Sequence, residues 1–317
     1  MPDSSRMKTY QMRALVACAQ HKSMRAAADE LALSHSALTK AVRELELELG
    51  VPLIVRSSRG ITLTPYGELT CSRARKILED MRRMHDEIEQ FKGGPHGRIV
   101  LAASSSIAFC VVPLAYSRFR QQMPQVDLEV MELSTGNVLS QLTEGRVDFA
   151  ATHFEIGNLP VECEFTRLCS GSMAAVVRPG HPARNARRLQ ELLDYEWIYP
   201  SQLVARSEFE RIFGNVGLEA PKRLIRSQSV TLNARLVGES DAIALLTRPF
   251  ANHPWHQPYL APLDLDDPLP VTSPGTVVLR GTHLPPATQL LRSEIHKAIL
   301  EQTWDHPGRQ PGVNVRT

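Results

Sequence analysis

The chain has 317 residues, of which 43% are hydrophobic and 22% charged, and its formal net charge is only +2. This composition is typical of a folded protein of several domains, and any nucleic-acid-binding surface must be local because the overall charge is small. The five cysteines form no CxxC pair, and we find neither an apolar leader nor a long apolar run. We therefore expect a cytoplasmic protein with reduced thiols and no membrane partner.

Three short helices are predicted in the first fifty residues. Apolar residues recur at helical spacing over residues 10–20, and Ser23 and Ser34 are natural N-caps for helices over 24–31 and 35–49, the latter ending at Gly50. One stripe of the third helix is apolar, and another is polar and basic, as a helix inserted into a DNA major groove requires. The candidate DNA-contacting residues here are Ser34, His35, Ser36, Thr39, Lys40 and Arg43.

A hairpin and a long helix follow. Short apolar runs at 53–55 and 61–63 flank a basic tip, from which Arg56 and Arg59 would reach the DNA backbone or minor groove. A helix is predicted from Pro65, and its apolar residues recur in steps of three and four, which is typical of a seam that packs against a partner helix. The residues of this seam are Ala74, Ile77, Met81, Met84, Ile88 and Phe91. We favour dimerisation through the seam over packing within one domain.

Residues 93–97 contain three glycines and a proline and are predicted to form a hinge. Beyond it, strands and helices alternate, which predicts parallel sheets with right-handed crossovers. Strands are expected at 98–103, 126–133, 147–152, 173–178, 197–199, 242–246 and 276–279, and helices at 106–122, 138–144, 189–193, 229–238 and 286–302. Ser207 and Glu210 are expected to form the capping box of a further helix.

Four motifs in the first part of the chain identify a family. They read SMRAAADEL at 23–31, SHSALT at 34–39, LELELGVPL at 45–53 and RSSRGITLT at 56–64. They resemble the LysR-type transcriptional regulators closely, and a weaker resemblance at 176–182 and 242–246 extends the match over about residues 7–300. His35-Ser36 stands where the family commonly has Gln-Pro, a difference that bears on the DNA preference. The segment 238–242 departs from the family's Gly-rich stretch, which bears on the shape of that loop.

The resemblance implies an N-terminal all-α winged helix-turn-helix plus a long linker helix, and a C-terminal α/β periplasmic-binding-protein-like effector domain of two lobes. It implies a regulator that binds an inverted-repeat operator in double-stranded DNA as a homotetramer, a dimer of dimers, and that contacts RNA polymerase. The implied boundaries are 1–64 for the DNA-binding domain, 65–92 for the linker helix, 93–97 for the hinge, 98–169 with 270–303 for lobe I, 170–269 for lobe II and 304–317 for a disordered tail.

Polar residues after the predicted strands suggest where an effector binds, since ligands of such folds lie at the carboxyl ends of strands. Ser104, Ser105 and Ser106 could bind an anion at a helix start, although serine there also serves as a simple cap. The other candidate effector residues are Thr135, Thr152, His153, Pro200, Ser201, Gln228 and Ser229. The expected effector is a small organic acid, a carboxylate or sulfonate and conceivably an aromatic one, that changes DNA binding or bending.

Other functions are weaker interpretations of the sequence. The segment 238–242 lacks the closing glycine of a nucleophile elbow, His253 and His256 have no further metal ligands at suitable spacing, and no phosphate-binding glycine motif is present. We therefore expect no enzyme, no cofactor and no metal. A redox-sensing regulator of the same family, acting through Cys163 and Cys169, remains the alternative; a disulfide between them would need a rearrangement.

Overall fold

The computed structural model describes residues 7–57, 60–92, 97–154, 159–199 and 206–304. The chain divides into two compact units, residues 1–93 with 143–146 and residues 94–142 with 147–317. Among the helices of the described ranges, none combines the length and the apolar character that a membrane span requires.

The first unit contains helices and one hairpin. Its helices are α1 (Thr9–His21), α2 (Met24–Glu30), α3 (His35–Leu49) and α4 (Pro65–Phe91), and its strands are β1 (Ile54–Ser57) and β2 (Gly60–Leu63). The predicted caps are confirmed, because Ser23 and Ser34 accept hydrogen bonds from the amides of Ala26 and Ala37. Gly50 ends α3 in the left-handed conformation, with φ 69°. This arrangement is the predicted winged helix-turn-helix with its long helix.

The apolar side of α3 forms part of the core of this unit. Leu38, Val42 and Leu45 are fully buried, whereas Leu49, which ends the predicted apolar stripe, is exposed. The hairpin is held at its start by Glu46, whose Oε1 accepts hydrogen bonds from the amides of Leu53 and Ile54 at 2.7 and 3.2 Å. The start of α4 lies directly on the same segment, since a Cβ at Gly67 would come 1.9 Å from the Leu53 carbonyl oxygen.

The second unit contains two sheets flanked by helices. The first sheet has the strand order β4 (Asp127–Glu132), β3 (Arg98–Ala103), β5 (Phe149–His153), β13 (Pro274–Leu279) and β6 (Cys163–Arg167). The second has the order β11 (Ala261–Pro262), β7 (Gly171–Val177), β10 (Ile243–Thr247), β8 (Trp197–Tyr199) and β9 (Leu224–Arg226), with β12 (Val271–Thr272) also paired to β7. The helices are α5 (Ser105–Cys110), α6 (Val112–Gln122), α7 (Thr135–Thr143), α8 (Arg206–Gly214), α9 (Val230–Glu239), α10 (Arg248–Ala251) and α11 (Pro286–Leu300), with a 3₁₀ turn at Leu189–Leu192.

Both sheets are mixed rather than wholly parallel. The predicted parallel pairing is confirmed where β3 lies beside β4 and β5, and β8 beside β9 and β10. It is wrong for β13, which runs antiparallel to β5 and β6, and for β7, which runs antiparallel to β10. Along the chain, β13 follows the strands of the second sheet and then returns to the first sheet. One apolar core contains residues of both sheets, Leu101 and Val176 among them.

Three local predictions need correction. The helix expected over 106–122 is interrupted at Val111, because Pro113 has no amide hydrogen for an internal helical bond and instead lies in the first turn of α6. Helix α8 begins at Arg206, so Ser207 lies inside it and is not its N-cap. The disordered tail was expected from residue 304, yet Trp304 is buried and its Nε1 donates to the Ile299 carbonyl at 2.7 Å.

The indole of Trp304 packs on the start of β7. A Cβ at Gly171 would lie 2.6 Å from the Trp304 Cβ, and the Ser172 amide donates to the Trp304 carbonyl oxygen at 3.1 Å. Glycine at 171 therefore allows the end of the described chain to lie against the second sheet. Residues 305–317 and all of the predicted hinge except Gly97 fall outside the described residues.

Candidate functional site

The polar stripe of α3 lies on the exposed side of the helix. Ser34, His35, Ser36, Lys40 and Arg43 are all exposed. Thr39 is only half exposed, and its Oγ1 is enclosed without a hydrogen-bond partner in the described protein. The stripe therefore presents the predicted residues to solvent, with Thr39 set behind the others.

The two cations of this stripe differ in their partners. Lys40 Nζ lies 4.0 Å from Glu44 Oε1, one turn along the helix. Glu44 also accepts a hydrogen bond from the Tyr10 hydroxyl at 2.6 Å, and this bond lowers the pKa of the Glu44 carboxyl. Arg43 has no ion-pair partner among the described residues, so its guanidinium is available to a phosphate or a base edge. On the hairpin, Arg56 is exposed, and Arg59 lies outside the described residues.

An exposed apolar seam runs along α4. Ile77, Met81, Met84 and Ile88 are between 42% and 57% exposed, although they are large apolar side chains. Ala74 was predicted to belong to this seam, but it is 2% exposed and therefore packs within this chain. The side chain of Phe91 lies outside the described residues. Four of the six predicted residues thus form a continuous apolar surface.

A cavity of about 410 Å³ lies within the second unit. Residues of both sheets line it, and it brings together six of the predicted effector residues, namely Ser104, Ser105, Ser106, His153, Gln228 and Ser229. Thr152 is fully buried in β5 but does not line the cavity, whereas the next residue, His153, does. The Thr135 side chain, Pro200 and Ser201 lie outside the described residues.

The three consecutive serines do not serve as helix caps. Ser104 occupies the N-cap position of α5 without a side-chain capping bond, and its Oγ is buried without a partner in the described protein. Ser105 donates a hydrogen bond to Glu132 Oε1 at 2.5 Å, and Ser106 Oγ lies 2.8 Å from His153 Nε2. The simple capping interpretation is therefore wrong for these serines. It is right for Ser229, whose Oγ accepts from the Leu232 amide at the start of α9.

Two further buried polar atoms of the cavity wall also lack a hydrogen-bond partner within the described protein. They are Asn233 Oδ1, in the first turn of α9, and Thr247 Oγ1, at the end of β10. Both side chains are more than nine-tenths buried. Most buried side-chain polar atoms in folded proteins are paired with protein or ordered water, so three such atoms around one cavity make its wall a candidate site for a polar ligand.

His153 is a neutral part of the cavity wall. Burial lowers the pKa of its imidazole to about 4, so the ring carries no charge at neutral pH. The ring also packs against Trp304 at a centroid distance of 5.4 Å in a T-shaped arrangement. It offers hydrogen-bonding nitrogens and an aromatic surface rather than a positive charge.

Sequence reasoning missed other polar residues of the cavity. Glu132 lines it from the last position of β4, and Ser134 and Asn137 line it after that strand. The others are Asn233, Thr247 and Thr272. Ser134 and Asn137 could have been found because they follow a predicted strand within four residues, as the serines follow theirs, whereas Glu132 falls inside the predicted strand. The other three depend on the pairing of the second sheet, for which single-sequence patterns carry no signal.

The two cysteines of the redox alternative lie on either side of most of β6. Neither forms a disulfide; Cys163 begins the strand and is buried, whereas Cys169 lies beyond its end. Four steps along an extended strand advance about 13 Å, whereas a disulfide requires Cα atoms within about 7 Å. The Leu168 amide also donates to the Pro274 carbonyl at 3.1 Å. A disulfide would therefore require β6 to separate from β13.

Comparison with known proteins yields two family matches. The model described as "LysR substrate binding domain" matches residues 92–299, and that described as "Bacterial regulatory helix-turn-helix protein, lysR family" matches residues 9–68. The transcriptional regulator GbpR of Rhizobium radiobacter is 30% identical over 250 residues, which cover 76% of this chain and 81% of GbpR.

Two other similar proteins extend this comparison. A probable hydrogen peroxide-inducible genes activator of Streptomyces viridosporus is 33% identical over 189 residues, which cover 58% of this chain and 61% of the activator. The crystal structure of full-length CbnR complexed with its target DNA matches the fold with a TM-score of 0.66 at 19% identity, over 92% of this chain and 100% of CbnR.

Proposed function

The chain belongs to the LysR family of bacterial transcriptional regulators, with a helix-turn-helix DNA-binding domain and an effector-binding domain, and we propose that a small organic acid in its cavity controls how it binds an operator. The proposed boundaries are 1–64 for DNA binding, 65–92 for the dimerisation helix and 93–97 for a hinge. Lobe I comprises 98–169 with 270–303, and lobe II comprises 170–269. The acid would change DNA binding or bending in the cytoplasm, where the chromosome lies.

We infer that α3 is the recognition helix. His35, Ser36, Lys40 and Arg43 are exposed, and an arginine without an ion-pair partner is well suited to guanine or phosphate. Ser34 caps the helix and would contact the backbone at most, and Thr39 would need to change its rotamer to reach a base. Arg56 and Arg59 on the hairpin would contact the DNA backbone or the minor groove.

The seam on α4 supports the proposal of a symmetric dimer. A partner helix would cover Ile77, Met81, Met84 and Ile88, which are otherwise exposed to water. Two recognition helices related by a twofold axis would lie about one DNA turn, roughly 34 Å, apart, so the operator should be an inverted repeat. Assembly of two dimers into a tetramer and contact with RNA polymerase are proposed from the family resemblance.

The effector proposal depends mainly on the three partnerless polar atoms around the cavity. Ser104 Oγ, Asn233 Oδ1 and Thr247 Oγ1 can hydrogen-bond a small polar molecule. The first turn of α9 also begins at the cavity with Ser229 and Val230, and amides of a first helical turn attract a negatively charged group. The two hydroxyls and the helix amides suit a carboxylate or a sulfonate, which accepts hydrogen bonds, and Asn233 donates to such a group when its amide presents Nδ2.

Footprinting of purified protein on the DNA upstream of its own gene tests the DNA-binding part. We expect protection of two half-sites one turn apart, and affinity that falls steeply with salt because several phosphates are neutralised. Protection of a single half-site, or an affinity that does not depend on salt, would contradict the proposed interface.

The effector part is tested by Ser104→Ala and Thr247→Val, which remove two of the partnerless hydroxyls. A panel of small acids is added to the footprinting assay, and we expect an acid that alters operator binding by the native protein to have a weaker effect on both variants. Ser117→Ala, at an exposed position on α6, is the matched control and should respond like the native protein. An undiminished response of both variants would exclude this cavity as the effector site.

Redox sensing through Cys163 and Cys169 is the second candidate. The similarity to a probable hydrogen peroxide-inducible genes activator favours it, and the position of the two cysteines at either side of β6 opposes it. Operator affinity is measured with and without peroxide, for the native protein and for Cys169→Ser. A peroxide effect that disappears in this variant would favour redox sensing over the organic-acid proposal.

A further inference from the structure

The cavity has an unusual balance of charge for a site that binds an acid. Among its described lining residues, Glu132 is the only one whose side chain is charged at neutral pH, since none is lysine or arginine and His153 is neutral. The remaining polar groups are hydroxyls and amides. A ligand that carried only a negative charge would find no cation among these described residues and would lie near a carboxylate.

Glu132 is held in position at the end of β4. Its Oε1 accepts the hydrogen bond from Ser105 at 2.5 Å, and it forms no ion pair within the described protein. A carboxylate accepts hydrogen bonds and cannot donate them, and its two oxygens have about four lone-pair positions. Ser105 fills one of these positions, so the remaining ones can bind hydrogen-bond donors of a ligand.

The opposite chemistry is found at the start of α9. The Leu232 amide of that helix donates to its N-cap, Ser229, whereas the amides of Val230 and Thr231 precede the first internal helical bond. Asn233 of the same turn has a buried oxygen without a partner in the described protein. An amide group can present either its oxygen or its NH₂ after a half-turn of the side chain, so Asn233 can also donate to a carboxylate. Thr247 and Ser104 add hydroxyl donors to the cavity.

We propose that the effector is bipolar, an organic acid that also carries an ammonium or hydroxyl group, and that Glu132 selects for this second group. The inference rests on the proposed effector function of the cavity. The acidic end binds the amides of α9 together with Asn233 and Thr247, and the donor end binds the Glu132 carboxylate that Ser105 positions. Glu132 thus discriminates against simple acids of the same size by electrostatic repulsion.

Isothermal titration of the full-length protein with two matched series of acids tests this proposal. One series is butyrate, 2-hydroxybutyrate and 2-aminobutyrate; the other is 3-phenylpropionate, 3-phenyllactate and phenylalanine. We expect a donor-bearing member to bind about tenfold tighter than its parent acid, as one hydrogen bond to a charged group provides. The hydroxyl and amino members separate the two kinds of donor from each other.

The variant Glu132→Gln should reduce this preference to about twofold or less, because it should bind the donor-bearing acid more weakly and the simple acid more tightly than the native protein does. Glu132→Asp keeps the charge and should retain the preference. Glu162→Gln removes an exposed carboxylate elsewhere in the same unit and serves as the matched control. Circular dichroism verifies that each variant is folded.

The outcomes separate this inference from the function on which it rests. If Ser104→Ala and Thr247→Val weaken binding but Glu132→Gln leaves the preference unchanged, the cavity is the effector site and the bipolar ligand class is wrong. Three other results would also overturn the bipolar ligand class. They are tighter binding of the simple acids than of the donor-bearing acids, tighter binding of an uncharged polyol such as ribitol, and no binding of any of the six acids. If Ser104→Ala and Thr247→Val leave the binding of every acid unchanged, the cavity is excluded as the effector site.

Discussion

The exposed side of α3 and the cavity of the second unit present polar side chains in opposite ways. On α3, Lys40 and Arg43 are exposed to water, where salt screens their charges. In the cavity, Asn233 and Thr247 are enclosed, and their polar atoms lack partners within the described protein. The first surface suits a large polyanion whose binding depends on salt, and the second suits a small molecule whose binding depends on hydrogen bonds.

The difference in burial also determines how each region responds to an amino-acid substitution. An exposed cation contributes through long-range attraction, so its loss weakens binding without disturbing the fold. A buried polar group is coupled to packing and protonation, so its loss alters both ligand binding and stability.

The largest effect is expected for Met84→Glu, which would place a charge in the seam between two copies of α4. We expect the dimer dissociation constant to increase at least about 100-fold, equivalent to about 3 kcal/mol, because the carboxylate would be desolvated without a partner. Sedimentation velocity over a range of concentrations measures the change. His85→Glu adds the same charge at an exposed position off the seam and should leave the dimer intact. A dimer unaffected by Met84→Glu would place the interface elsewhere.

Arg43→Ala tests whether α3 is the recognition surface. Loss of a guanine or phosphate contact should weaken operator binding by about 1–3 kcal/mol, measured by fluorescence anisotropy at fixed salt. A base contact would also relax the preference for one operator position, whereas a phosphate contact would lower the salt dependence by about one unit. Arg184→Ala, an exposed arginine of the second unit, is the control. Equal losses for both variants would mean that net charge alone decides the affinity.

Protonation of the buried His153 should make the stability of the second unit depend on pH. Burial lowers the pKa of His153 to about 4. As the pH falls below about 6.5, this imidazole is therefore protonated in the unfolded chain but stays neutral in the folded chain. The stability from this group is therefore complete above the unfolded pKa and is lost as the pH falls towards 4. Between pH 7.5 and 5 this group accounts for a loss of about 2 kcal/mol, so the total loss should be smaller by that amount in His153→Gln, whereas His296, whose pKa burial also lowers to about 4, contributes in both proteins. Denaturant midpoints at the two pH values measure it, and identical losses in both proteins would refute the assignment.

The smallest effect is expected for Ser229→Ala. This serine caps α9, so its loss should reduce stability by about 1 kcal/mol and weaken ligand binding only slightly. Thermal unfolding and titration with a binding acid measure the two effects, with Ser117→Ala as the control. A large loss of affinity without a loss of stability would show that Ser229 contacts the ligand directly.

The sequence predicted where α3 begins and ends because the signals that set these limits are local. Its caps, Ser34 and Gly50, and its apolar spacing all lie within seventeen residues. Ala74 on α4 shows where such a pattern fails, since the heptad spacing marks it as part of the seam although it is buried. A periodic pattern predicts which side of a helix is apolar, but it does not predict which part of the protein packs against each residue on that side.

The cavity could be predicted only in part. Ser104, Ser105 and Ser106 were recognisable because they follow a strand, but their roles depend on Glu132 and His153, which lie more than 25 residues away along the chain. Asn233 and Thr247 reach the same cavity through the pairing of β10 with β7 and β8. The late return of β13, antiparallel to β5, is equally non-local. Tertiary pairing of this kind leaves no periodic trace in one sequence.

The indole of Trp304 gives the protein an optical reporter of its own. The chain has three tryptophans, and Trp304 is the one whose ring meets the His153 imidazole. A molecule that enters beside that imidazole, or a proton that binds to it, changes the surroundings of a single fluorophore. Emission from a protein that retains Trp304 and carries phenylalanine at 197 and 255 would follow occupancy of the cavity directly, without a label.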